Sequence, residues 1–186
     1  GSQLAIDEIN AAGGINGKQI EAVFEDDENK PATAPNAVTK LLEQDKVDMV
    51  LGSYASSCSI AMAPIVNEAK KIMISVGSTN AKVTAEGGEY IFRACFIDPL
   101  QGKVAAKFAK DTLKADKVAM LYDVGQDYCV GMSSQFKETF EADGGTIAYE
   151  GKYNTGDSDF KSYLTEIKNS GATVLYLPDD YDVVGL

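Results

Sequence analysis

An α/β fold built on parallel sheets is predicted for this 186-residue chain by three observations. Short apolar runs alternate with amphipathic helical segments along the whole length. Two consecutive apolar runs stop on turns of glycine, serine and threonine, as strands feeding helices do. The alternation begins again after residues 92–100, which predicts two similar lobes, each a parallel sheet covered on both faces.

Taken in order, residues 3–11 have helical spacing, and Gly13-Gly14 is a stop followed by a loop. A strand is expected over 19–25, a helix over 32–44 and a strand over 47–51. A helix then runs over 59–70, with Ile60, Ala63, Ile65, Val66 and Ala69 on its apolar face. A strand over 72–76, a helical turn near 81–87 and a brief strand over 90–92 complete the first half. Asp98-Pro99 opens a helix reaching about residue 113, since aspartate can cap a helix and proline suits its first position. In the second half, strands are expected over 117–122, 146–153 and 172–177, and helices over 129–142 and 157–170. The apolar stripes of 101–113 and 133–142 face core. Residues 13–17 are glycine-rich but follow a helix, so they form a turn and not a phosphate loop.

Lysine and arginine number 17 and aspartate and glutamate 28, a net charge of −11, which argues against nucleic acid and anionic membranes as partners. No run of about 18 apolar residues is present, so nothing in the sequence spans a membrane as a helix. No signal peptide precedes the first helix, and the chain reads as processed or cut from a longer one. Histidine is absent, which removes Ser-His and Cys-His machinery and the commonest general base. The three cysteines, Cys58, Cys95 and Cys129, are too few and too scattered for a disulfide framework or a zinc site. Cys58 lies near a helix start but has no Lys, Arg or His beside it, and reads as a small packing residue. The acidic run 25–28 follows a strand and precedes a proline, and reads as a solvated loop. No cofactor or metal is expected.

The chemistry concentrates at residues 51–59, LGSYASSCS, where an apolar run stops on a hydroxyl-rich turn and a helix begins. The first N–H groups of a helix lack internal acceptors and sit at its positive end, so such a corner can hold an anion. Ser56, Ser57 and Ser59 can add O–H donors, or can simply cap the helix. Residues 72–76 end in the same way, at Gly77-Ser78-Thr79-Asn80. In a parallel sheet both corners lie on one edge, where open α/β sheets bind ligands, so together they can hold one carboxylate.

The run LAIDEINAAGGINGK at 4–18, followed by Asp26-Asp27, resembles the start of type I periplasmic binding proteins. Specifically, it is similar to the branched-chain amino acid (Leu/Ile/Val) receptor family of ABC transporters. LGSYASSCSIAMAPI, ISVGSTN, FRACFIDPLQG, LYDVGQDYCVG and VLYLPDDYDVVGL agree in register over the whole chain. The resemblance implies two doubly wound, Rossmann-like lobes joined by a three-stranded hinge and closing on a small ligand. Residues 1–97 would form the first lobe and 98–186 part of the second, with the hinge near 92–101. It further implies that Ser56, Gly77 and Thr79 hold a ligand carboxylate, with Ser57 and Ser78 contributing backbone groups beside them. Tyr128, and Asp180 or Tyr181, would reach in from the second lobe. Position 180 often carries tyrosine in the family, so Asp180 is a departure that favours a ligand with an extra positive charge or donor.

The family pattern also has a strand before the first helix, in the middle of the first sheet, and another lobe's worth of chain after residue 186. The expectation is therefore an incomplete fold with unpaired strand edges, and a partner that is a complementary chain or the missing segment. The implied function is non-catalytic capture of a small amino acid or similar zwitterion outside the cytoplasm and delivery to an ABC permease. A ligand-sensing domain of a receptor or regulator is the alternative, and an enzyme using Cys58 or a carboxylate pair the remote third.

Overall fold

The computed structural model describes residues 1–185; Leu186, the last residue of the expected second lobe, lies outside the described residues. The first half runs α1 (Ser2–Ala11), α2 (Ala34–Glu43), β1 (Met49–Leu51), α3 (Ser56–Glu68), β2 (Ile72–Ser75), α4 (Lys82–Ala85), β3 (Ile91–Arg93). The second runs α5 (Asp98–Lys107), β4 (Lys117–Asp123), α6 (Asp127–Ala142), β5 (Thr146–Tyr153), α7 (Lys161–Asn169), β6 (Val174–Tyr176) and α8 (Tyr181–Val184). After α5 the chain continues in wider π-helical turns over Phe108–Thr112. All strands pair parallel, in two separate sheets ordered β1-β2-β3 and β5-β4-β6. The fold is α/β, as the alternation predicts.

Register explains the first sheet's burial. Val50, Met73 and Ile91 stand opposite one another and are buried, because their side chains share one face. That face packs against Val38 of α2 and Cys58, Met62 and Val66 of α3. On the other face Met49, Leu51, Ile72 and Phe92 are each about half exposed. The expected strand over 19–25 joins no ladder. An extended segment becomes a strand only beside another, and here Ile20 exchanges its N–H and C=O bonds with the Asn10 side chain of α1, at 2.7 and 2.8 Å. Helix α1 correspondingly has no buried residue.

In the second half β4 is central and buried from Val118 to Asp123. Val118, Met120 and Tyr122 pack on α5 and α6, where the Phe136 ring stacks between Phe140, at 5.6 Å, and Tyr176, at 4.0 Å. Helices α5 and α6 approach closely at two glycines: a Cβ on Gly102 would lie 2.6 Å from Gln135 Cβ, and one on Gly131 2.4 Å from Asp98 Oδ2. Expected helix bounds shift where side chains take over backbone groups. Helix α7 starts four residues late because Asp157 and Asp159 bind the N–H groups of Asn154 and Lys161 in turns. Helix α3 starts three residues early, at Ser56.

Phe136 is 1 % exposed and bridges two aromatic neighbours. Phe136→Ala should lower unfolding free energy by about 3–5 kcal/mol in urea titration; a loss below about 1 kcal/mol would show that the α5–α6 core repacks freely.

Candidate functional site

The two corners at the ends of β1 and β2 are pinned to each other by serines. The Ser53 carbonyl is met by the hydroxyls of Ser75 at 2.8 Å, Ser78 at 3.0 Å and Ser59 at 3.2 Å. Ser59 Oγ lies 2.8 Å from Ser78 Oγ and accepts the Ser53 N–H at 2.9 Å, while Ser75 Oγ accepts the Ser78 N–H at 2.9 Å. Ser59, Ser75 and Ser78 are wholly buried. The carbonyls of the second corner are taken as well: Arg93 donates to Asn80 O at 2.7 Å, and the Asp98 N–H to Thr79 O at 2.9 Å.

Two N–H groups of the second corner are left over. Those of Gly77 and Thr79 find no acceptor among the described residues. Helix α3 begins after an extended Ala55 and has no side-chain cap, so Ser56 and Ser57 stand inside its first turn and do not cap it. Ser56 Oγ accepts the Asn80 N–H at 3.1 Å, which leaves its own proton free to donate. Thr79 Oγ1 is buried without a well-formed hydrogen bond. Gly77 is glycine for a reason of space, since a Cβ there would fall 2.3 Å from the Tyr54 ring.

These corners form one wall of a cleft of about 410 Å³ between the two sheets. Six of the eight residues singled out from sequence line it: Ser56, Gly77, Thr79, Tyr128, Asp180 and Tyr181. Ser57 and Ser78 do not. Ser78 is spent in the serine network beneath the corners, and Ser57 Oγ accepts the Asp127 N–H at 2.8 Å, at the start of α6. Asn80 Nδ2 donates to the carbonyl of the same Asp127 at 2.7 Å, and Lys82 Nζ is 3.3 Å from its carboxylate. A second bridge, Asn29 Nδ2 to Asp180 Oδ2 at 3.2 Å, crosses at the mouth. Burial, then the charges of Cys129, Asp98, Tyr54 and Asp180, push the Tyr128 phenol up to about 12, so it is a neutral O–H at any physiological pH.

Behind the cleft Asp98 is 2 % exposed and its oxygens lack well-formed hydrogen bonds. Burial raises its pKa, opposed by the Thr79 hydroxyl and the Arg93 charge. The acidic run 25–28 forms a turn whose carboxylates accept the chain's own groups: Asp26 the Glu28 N–H, Asp27 the Asn29 N–H and the Ser53 hydroxyl. No cluster of three or more metal-ligating residues occurs among the described residues.

A sequence profile of the periplasmic binding protein family matches residues 1–182. The chain belongs to the type I periplasmic binding protein family. It is 38 % identical to an amino acid binding protein of Pseudomonas aeruginosa over 95 % of this chain and 47 % of that protein. Among solved structures it is similar to LivJ of Streptococcus pneumoniae, a branched-chain amino acid transporter substrate binding protein in complex with isoleucine. That match has a TM-score of 0.88 and 36 % identity, over 97 % of this chain and 51 % of the other. A solute binding protein of an ABC transporter from R. palustris, in complex with 4-hydroxybenzoate, matches with a TM-score of 0.84 and 29 % identity, over 94 % and 48 %. The chain spans about half the length of the curated relatives it matches.

Sequence reasoning missed several cleft residues of this periplasmic binding protein: Tyr54, Asn29, Phe96, Gln101 and Asp179. Tyr54 was findable, as the one aromatic in the first corner. Asn29 was not, because nothing in a turn 24 residues before Ser53 marks it as reaching the mouth.

Asp98→Asn should raise the melting temperature near pH 7. A carboxyl whose folded pKa is raised costs stability once pH exceeds the unfolded value, with the full cost above the folded one. The variant's advantage should therefore fade as pH falls below the ordinary carboxylate range. A variant that melts below wild type at pH 7 would mean the buried charge is a net stabiliser.

Proposed function

We propose that this chain is the ligand-gripping part of an extracytoplasmic solute-binding protein that captures a small amino acid or similar zwitterion and hands it to an ABC permease. The observation that carries the reading is the donor set on one wall: two unpaired N–H groups at Gly77 and Thr79, the Ser56 and Thr79 hydroxyls and the uncapped first turn of α3. Neutral, fixed donors of this kind suit a carboxylate, because they need no desolvated counter-charge. The family and the amino acid binding relatives support the same role.

In the proposed mechanism residues 1–97 form one lobe, 98–186 belong to the other, and 92–101 is the hinge. The ligand carboxylate docks on Ser56, Gly77 and Thr79, with Ser57 and Ser78 holding those donors in place. Tyr128 and the Asp180-Tyr181 turn then close over the rest of the ligand, and the Ser57–Asp127–Asn80 bonds fasten the closed form. Ligand leaves unchanged. No histidine is present to act as base. Burial pushes the Cys58 thiol up to about 11 and raises Cys129 as well, which disfavours the thiolate nucleophile.

Ser56→Ala and Thr79→Val should each weaken amino acid binding by about 1–3 kcal/mol in titration calorimetry. Wild-type affinity in both variants would remove this site.

A further inference from the structure

We infer that the cleft is built for an amino acid with a positively charged side chain, of the lysine, ornithine or arginine type. The inference rests on the carboxylate-gripping reading above and names the ligand class for the same site.

The first observation is charge. Two carboxylates, Asp179 and Asp180, line the same cleft as the donors, and no lysine or arginine does so among the described residues. The nearby cations are committed elsewhere: Arg93 to the carbonyls of Ser78 and Asn80 and to Thr84, Lys82 to Asp127. Asp179 accepts the Tyr153 hydroxyl and the Asp180 N–H, and Asp180 Oδ2 accepts the Asn29 amide. Each carboxylate is thus met by neutral donors, and no ion pair ties up either one among the described residues. A zwitterion with a neutral side chain brings one positive group to two carboxylates and leaves one of them without an ionic partner. A ligand with a second cation balances the site.

The second observation is the aromatic lining. Tyr54, Phe96, Tyr128 and Tyr181 line the same cleft, and Tyr54 and Tyr181 are 76 % and 89 % exposed. Aromatic rings beside carboxylates, with no lysine or arginine among the described lining residues, suit an organic ammonium or guanidinium. The negative field also registers on the cleft's own groups: after burial, the charges of Asp179 and Asp180 push the Cys129 thiol up, and Asp98 and Asp180 act likewise on Tyr128. The third observation is the pair of unpartnered N–H donors at Gly77 and Thr79, with the Thr79 hydroxyl oxygen buried and without a well-formed hydrogen bond. They fix where the carboxylate goes and so leave Asp179 and Asp180 to the ligand's other end.

The test is calorimetric titration of the protein with lysine and arginine against their uncharged counterparts norleucine and citrulline, in wild type and in Asp180→Asn. Asp180 is exposed, so its amide variant is expected to fold. The expected result is that lysine binds about tenfold tighter than norleucine, that added salt erodes this preference, and that Asp180→Asn brings the ratio close to one. Norleucine and citrulline binding as tightly as lysine and arginine would overturn the inference alone. So would a preference that ignores both salt and the Asp180→Asn change. No binding of any of the four would overturn the carboxylate-gripping reading and the inference together.

Discussion

The carbonyl of Ser53 is the point on which the site depends. Buried polar groups must be paired, and this carbonyl gathers the hydroxyls of Ser59, Ser75 and Ser78, one from α3 and two from β2 and the turn that follows it. Each such bond contributes only about 1 kcal/mol net, but leaving any member unpaired in the interior costs more than that. The network therefore ties two separate β-to-α corners into one rigid piece. Once the corner carbonyls are claimed by Arg93 and Asp98, the remaining N–H groups have only the cleft to turn to.

The junction between the sheets follows the same logic. Ser57 Oγ receives the first N–H of α6, and Asn80 holds the carbonyl of the same residue, so one helix N-terminus is bound by side chains from both corners. Gly131 allows Asp98 and Asn80 to close against α6, where a Cβ would collide with both. The residues that fasten the two halves are thus neighbours in sequence of those that face the cleft: Ser57 beside Ser56, Asn80 beside Thr79. In the proposed mechanism, ligand contact and closure are coupled through directly adjacent residues of the chain.

Much of this was legible in the sequence. Strands β2, β4 and β5 and helix α6 were readable because a strong apolar period and a glycine stop coincide there. The extended segment 19–25 was misread as a strand because strand pairing is a property of neighbours, which local pattern does not encode. The start of α3 was misplaced because serines at a corner satisfy the same composition rule as caps or as first-turn residues. Composition marked Ser57 and Ser78 as hydroxyls at the corners. Whether a hydroxyl faces a ligand or its own backbone is decided by packing, and these two are used internally. Asp179 and Asn29 went unseen because their roles arise from contacts across 26 and 151 positions.

Amide chemical shifts offer the most direct measurement. With nitrogen-15 labelled protein titrated with an amino acid, the account predicts that the Ser56, Gly77 and Thr79 amide signals move together to lower field as their protons find a carboxylate. Ligand saturation that leaves those three signals in place while others move would contradict it.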